Sequence, residues 1–86
     1  MSIREEIKHY LKKHDIEFQE FKNLNPEYDY RYFIQAFLKD GLVLLIYVRW
    51  NYVYEAIVDD GYQAIVELLH FNFDEFQHFM EDYELI

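Results

Sequence analysis

The stretch YRYFIQAFLKDGLVLLIYVRW, residues 30–50, decides the fold. Asp40-Gly41 separates two apolar runs. An Asp-Gly pair in that setting is the strongest short-range signal for a two-residue type I′ hairpin, because both central residues must adopt positive φ. Leu42 to Trp50 is apolar at nearly every position, as a central strand covered on both faces would be. The run before Asp40 supports two readings. Asn25 could cap a helix with Pro26 in its first turn and Gly41 at its end, placing Tyr30, Phe33, Ile34, Phe37 and Leu38 on one stripe. Alternatively, 25–29 is a turn and 30–39 a strand. The density of tyrosine and phenylalanine, together with the Asp-Gly signal, favours the strand.

A two-residue Asp40-Gly41 loop fixes a register. Lys39 then pairs with Leu42, Phe37 with Leu44 and Phe33 with Val48. One face collects Ile34, Ala36, Leu38, Val43 and Leu45 with Tyr30, Tyr32, Tyr47 and Arg49. Tyr52 and Tyr54 join it if Trp50-Asn51 is a second tight turn. The other collects Phe33, Phe37, Leu42, Leu44, Ile46, Val48, Trp50, Val53 and Ile57, and reads as the core packed by helices. The tyrosine-rich face is a candidate binding surface, since Tyr, Trp and Arg are enriched at binding hot spots. Tyrosine also suits an ordinary half-buried strand.

Working outward, Ser2 to Glu5 fits a capping box, and Ile3, Ile7, Tyr10 and Leu11 follow helical spacing, predicting a helix over about 2–14. Residues 16–22 alternate as a short strand would, although His14, Phe18, Phe21 and Leu24 also extend the helical stripe. Val53 to Val58 is a further strand. Asp60-Gly61-Tyr62-Gln63 resembles a capping box, and Tyr62, Ile65, Val66 and Leu69 predict a helix over about 60–71. Asn72, with Glu75 three residues on, starts another helix to about 84, striped by Phe73, Phe76, Phe79, Met80 and Tyr83. The predicted architecture is one α+β domain over 1–86: an N-terminal helix, a three- to four-stranded antiparallel sheet and two C-terminal helices.

Composition narrows the chemistry. The chain has 86 residues, 18 of them aromatic, which is more than a core this small hides completely, so several should reach a partner or a second copy. It has no cysteine or threonine, one serine and two glycines twenty positions apart. Disulfides, thiolate metal sites, hydroxyl or thiol nucleophiles and glycine-rich phosphate loops are therefore not expected, and a reducing cytoplasm is the default compartment. Residues 1–14 are charged throughout and no apolar run nears the ~20 residues of a bilayer crossing, so neither a signal peptide nor a membrane span is expected. The histidines lack paired metal-ligand spacing. Asp74-His78-Asp82 reads as a histidine whose charge neighbouring carboxylates favour, more than as a metal site. No acid–base pair stands out, so no enzyme, cofactor or metal is expected.

Charge is the most distinctive feature. From Trp50 to Ile86 there are nine acids and no lysine or arginine: Glu55, Asp59, Asp60, Glu67, Asp74, Glu75, Glu81, Asp82 and Glu84. Residues 1–49 carry eight acids and eight bases, so the whole net charge of −9 arises after residue 49. A bland account makes the acids a solvated, solubilising face. A sharper one makes them a surface for a basic partner, with carboxylates standing in for the phosphates that nucleic-acid enzymes read with arginine and lysine. In general character the chain resembles the small acidic inhibitors that phages deploy against restriction, repair or CRISPR enzymes, a likeness of class and not of motif. It implies a non-enzymatic, DNA-mimic-like antagonist that docks its acidic C-terminal helices in a basic groove, with Tyr30, Tyr32, Tyr47, Trp50, Tyr52 and Tyr54 adding apolar anchoring. Direct nucleic-acid binding is not expected of so acidic a chain. The alternative is a self-associating accessory or immunity-type protein that dimerises through the tyrosine-rich face. The antagonist reading requires the nine carboxylates to converge on one surface.

Overall fold

The computed structural model describes residues 2–28, 30–49 and 53–85, apart from the side chain of Tyr54. Along the chain come α1 (Ile3–Lys13), β1 (Glu17–Lys22), β2 (Tyr32–Phe37), β3 (Val43–Val48), β4 (Val53–Asp59), β5 (Ala64–Phe71) and α2 (Phe73–Asp82). The strands form one sheet in the order β1-β2-β3-β4-β5, each antiparallel to its neighbour. Two helices thus bracket five strands, in place of the three helices and three or four strands predicted from the sequence. Among the described residues, no helix is long and apolar enough to cross a membrane.

The extra strand is the segment predicted as a helix over 60–71. Its cap does form: Asp60 Oδ1 accepts hydrogen bonds from the backbone N–H groups of Tyr62 (2.9 Å) and Gln63 (3.0 Å). No helix results, because Asp60 N–H donates to Gln63 O at 3.3 Å and closes a turn. Asp59 Oδ1 accepts from Gly61 N–H at 2.6 Å, and Gly61 takes the positive φ of 97° that only glycine adopts cheaply. The chain then returns as β5 alongside β4. The stripe that suggested a helix is mostly solvent-facing: Tyr62 is 96% exposed, and Ile65 and Leu69 are each 55% exposed. Val66 and Leu68, two apart, point to the core instead, which is strand periodicity.

The Asp40-Gly41 turn takes its predicted form, with φ of 60° and 74° at its central residues and Leu42 N–H donating to Lys39 O at 3.3 Å. The ladder outside it is offset by one residue. Leu38 N–H donates to Leu42 O at 2.9 Å, so Phe37 pairs with Val43, not Leu44, and Ile34 with Ile46. A one-residue slip moves a strand's side chains to the opposite face. The core face therefore carries Ile34 and Ala36 with Leu44, Ile46 and Val48, and the predicted grouping of Phe33 and Phe37 with that core is reversed. On β4, Ala56 and Val58 are buried, and Ile57 lies on the other face. A second shift between Tyr47 and Val48 keeps Val53 in the core as well.

Both helices cover this one face. Ile3, Ile7, Tyr10 and Leu11 from α1, and Phe76, Phe79 and Met80 from α2, join the strand residues in a single buried cluster. Ser2 Oγ caps α1 by accepting from Glu5 N–H at 3.3 Å, but the Glu5 carboxylate turns to Arg4 and Lys8 and does not complete the expected box, whereas Asn72 with Glu75 forms the predicted reciprocal box on α2. The two helices end alike. Ile16 N–H donates to Leu11 O and Leu85 N–H to Met80 O, each at 2.9 Å, around Asp15 (φ 56°) and Glu84 (φ 53°). This is the Schellman arrangement, with an apolar residue folding back behind a left-handed one.

Candidate functional site

With both helices on one side, no element among the described residues covers the opposite side of the sheet. Register places three cross-strand rows there. One runs Phe21, Phe33, Tyr47, Glu55, Leu69. The next runs Gln19, Gln35, Leu45, Ile57, Glu67. The third runs Glu17, Phe37, Val43, Asp59, Ala64. The rows hold nine apolar side chains, four carboxylates and no lysine or arginine. Phe21, Phe37 and Leu69 are 48%, 41% and 55% exposed. A monomeric protein rarely leaves so continuous an apolar patch in water unless something binds it.

The rings are ordered. Phe21 stacks on Phe33 with centroids 5.9 Å apart, Phe33 meets Tyr47 at 5.0 Å, and Tyr47 meets Tyr30 edge-on at 4.9 Å. Such contacts each add roughly 0.5–1.5 kcal/mol beyond burial and lock the rings in place. Burial raises the pKa of the Tyr47 hydroxyl above its ordinary value, with Tyr30 and the negative charge of Glu55 adding to the effect. Tyr47 thus presents a neutral phenol on the central strand, in the row nearest the β1–β2 loop.

The nine acids after residue 49 do not converge on one surface. Glu55, Asp59 and Glu67 lie on the uncovered face, joined by Glu17 from β1. Asp60 sits in the β4–β5 turn. Asp74, Glu75, Glu81, Asp82 and Glu84 lie on and just after α2, in the helix layer on the other side of the sheet. The ion pairs between described residues join Arg4 and Lys8 to Glu5 and Glu20 and involve none of these nine acids.

The six aromatic candidates divide too. Tyr47 is on the uncovered face with Tyr30 against it, whereas Tyr32 turns to the helix side, where the Arg4 guanidinium carbon lies 4.0 Å from its ring centre. Trp50, Tyr52 and the Tyr54 side chain lie outside the described residues. Sequence reasoning placed Val43 and Leu45 on the face of Tyr47, as the register does, and missed Phe21, Phe33, Phe37, Ile57 and Leu69. A signal for them existed. Ala36 and Ala56 are small enough to pass under a helix, and each is fully buried. Their larger sequence neighbours Phe37 and Ile57 had to face the other way.

Among the described residues, no three His, Asp or Glu side chains gather as a metal set. No protein-family model, curated protein or solved structure matches the chain.

Proposed function

We propose that the chain is a non-enzymatic binding protein that seats its uncovered sheet face against a cationic surface of another protein, and that it acts as an antagonist by filling a groove built for nucleic acid. One observation carries this reading: the face combines continuous apolar contact area with Glu17, Glu55, Asp59 and Glu67, and its rows hold no cation. Apolar area supplies affinity at the centre of an interface, while one-signed charge steers encounter and rejects acidic partners. Lysine- and arginine-lined grooves with apolar floors are the complementary chemistry. A second copy of the chain would oppose carboxylate to carboxylate across the same face, in a protein already at −9. The lack of cysteine suits a reducing cytoplasm.

This reading moves the contact surface from α2 to the sheet, and the test separates the two. Binding to a panel of basic nucleic-acid-handling proteins is titrated at rising salt, with Glu55→Lys/Glu67→Lys on the sheet and Asp74→Lys/Glu75→Lys on α2. The expected result is salt-sensitive binding lost in the first double variant and kept in the second. Loss only in the α2 variant would move the surface back to the helix. Binding indifferent to salt and to both variants would end the electrostatic account. A tight dimer by light scattering, broken by Phe37→Lys, would give the face to a second copy.

A further inference from the structure

At the far end of the strands from the Asp59-Asp60 turn, the β1–β2 loop walls a concave pocket of about 470 Å³. Lys22, Arg31 and Arg49 line it, together with Tyr28, Tyr30 and Tyr32. Three of the chain's eight cations thus meet at one spot in a protein of charge −9. Lys22 and Asp59 occupy opposite end rows of the sheet, five residue steps apart. At ~3.4 Å per step that is about 17 Å, roughly twice the screening length at physiological salt, so the acidic turn is screened from the pocket. The loop's own sequence carries the acids Glu27 and Asp29, and residues 22–31 with Arg49 sum to a formal charge of +1.

The loop is braced in advance. Asn23 Nδ2 donates to Tyr30 O (2.8 Å) and Asn25 O (3.1 Å), its Oδ1 accepts from Asn25 N–H (3.0 Å), and Asn25 Oδ1 accepts from Glu27 N–H (3.0 Å). Asn23 N–H also donates to Arg31 O at 2.8 Å, and Arg31 N–H to Val48 O at 2.8 Å, which ties the loop to the sheet. Tyr28 stacks on Tyr30 with centroids 5.7 Å apart and planes 25° apart, yet remains 57% exposed, which leaves ring surface for another planar group. Arg31 and Arg49 each interact with protein groups as well, but a guanidinium has five donors, and its planar fork matches a phosphate two bonds at a time.

We infer that this pocket binds a phosphate bearing an aromatic ring, of the size and chemistry of a nucleoside monophosphate, with Arg31, Arg49 and Lys22 on the phosphate and Tyr28 stacked on the base. The volume lies in the lower half of the range for small-ligand sites, which suits one nucleotide and not two. Cationic side chains beside stacking tyrosines are the usual means of holding a nucleotide without reading its sequence. A free nucleotide and the 5′-phosphorylated end of a single strand present the same chemistry.

The test uses the full chain and isothermal titration with uridine 5′-monophosphate, uridine, inorganic phosphate and a 5′-phosphorylated oligouridine. The monophosphate should bind saturably and weaken with salt, and uridine should bind at least about tenfold more weakly. Arg31→Gln and Arg49→Gln should each weaken the monophosphate about tenfold or more. Lys22→Gln, at an exposed strand end, provides a variant whose fold is secure and should weaken it several-fold. Tyr28→Ala should weaken the monophosphate several-fold and leave inorganic phosphate unchanged. An oligouridine that binds much more tightly through the same residues identifies a strand end as the natural ligand; equal affinities identify the free nucleotide. No saturable binding by any probe, or binding that the Lys22, Arg31 and Arg49 variants leave unchanged, overturns the inference.

Discussion

Arg4 of α1 and Glu20 of β1 form a two-pronged ion pair, with Nε 2.6 Å from one carboxylate oxygen and a terminal guanidinium nitrogen 2.7 Å from the other. Lys8 Nζ adds a longer contact at 3.5 Å, and Arg4 lies over Tyr32 of β2. One turn of helix is thereby joined to two strands at the sheet edge. The hydrogen bonds from Arg4 hold the Glu20 carboxyl below its ordinary pKa, against the opposing effect of burial.

Glu20→Gln should therefore destabilise the fold by about 1–2 kcal/mol, in the range for a charge-assisted bond discounted for the partial exposure of both partners. The pH dependence has a definite sign. A carboxyl whose folded pKa is depressed contributes its stability above the unfolded value, and that contribution disappears as pH falls through the folded value. Thermal melts from neutrality down through the carboxylate range should show a drop in Tm for the parent chain and a shallower one for Glu20→Gln. Equal acid slopes would mean that the pair adds nothing.

Tyr10 makes the opposite case. It is 5% exposed and packs edge-on against Phe73 and Phe76, yet among the described residues its hydroxyl has no hydrogen-bond partner. An unsatisfied buried hydroxyl costs ~1–3 kcal/mol, whereas the ring's packing is favourable. Tyr10→Phe should keep the ring and stabilise the fold by about 1 kcal/mol. Burial first, and the charge of Glu81 second, raise the Tyr10 pKa, as burial does for Tyr47. A phenol whose folded pKa is raised binds its proton more tightly in the folded state, so stability falls as pH climbs from the ordinary tyrosine value through the folded one. The alkaline loss of stability should accordingly be smaller in Tyr10→Phe, as followed by urea melts at rising pH. A destabilised Tyr10→Phe would show that the hydroxyl is satisfied in solution.

Local chemistry was legible in the sequence wherever a short motif had a single outcome. Ser2, Asn72 with Glu75, and Asp40-Gly41 each make the contact expected of them. The course of the chain beyond a motif was less legible. Asp60 makes its cap contact and no helix results, since Ile65 to Leu69 is apolar on both sides and fits a strand and a helix equally well; pairing with β4 decides. Asp40-Gly41 gives the predicted turn, yet the ladder slips by one residue beyond it, and the slip exchanges the buried and open faces of β2. The β2 half of the candidate interaction face was therefore misassigned through a single backbone bond, Leu38 N–H to Leu42 O, whereas Val43, Leu45 and Tyr47 of β3 lie on the open face as expected. The acids are one-sided in sequence but not in space. Their division between sheet and helix layers depends on β5 being a strand, which no charge pattern reveals.

The C-terminal end of α2 is open to improvement. Glu84 holds the left-handed position of the Schellman turn, where a side chain other than glycine is strained, and its carboxylate sits at the negative end of the helix. Glu84→Gly should relieve both effects and stabilise the fold by about 1 kcal/mol, a gain of ~4–8 °C in Tm for a domain of this size. Glu84→Val should lose a similar amount, because a β-branched residue is least tolerant of positive φ. No gain in Glu84→Gly would mean that the turn does not persist in solution.

Ala36 and Phe37 are sequence neighbours on β2 that the observed register sends to opposite faces, the first fully buried under the helices and the second 41% exposed on the uncovered side. The register expected from a simple two-residue hairpin would bury Phe37 and leave Ala36 on the tyrosine-rich face. Lysine at each position distinguishes the two. Ala36→Lys places a long cation in the core with no carboxylate built to meet it, at a cost of several kcal/mol, a large fraction of what holds so small a domain together. Phe37→Lys puts its ammonium in water beside Glu17 of the neighbouring strand, and its cost should be ~1 kcal/mol, the loss of a partly covered ring. Circular dichroism melts of the two variants should show one unfolded or barely folded and the other close to the parent. The same Phe37→Lys protein should then fail to bind the cationic partner that the parent binds, since it loses apolar contact and adds a repelling charge at one stroke. A folded Ala36→Lys beside an unfolded Phe37→Lys would restore the simple hairpin register and move the uncovered face, with the function proposed for it, to the other set of side chains.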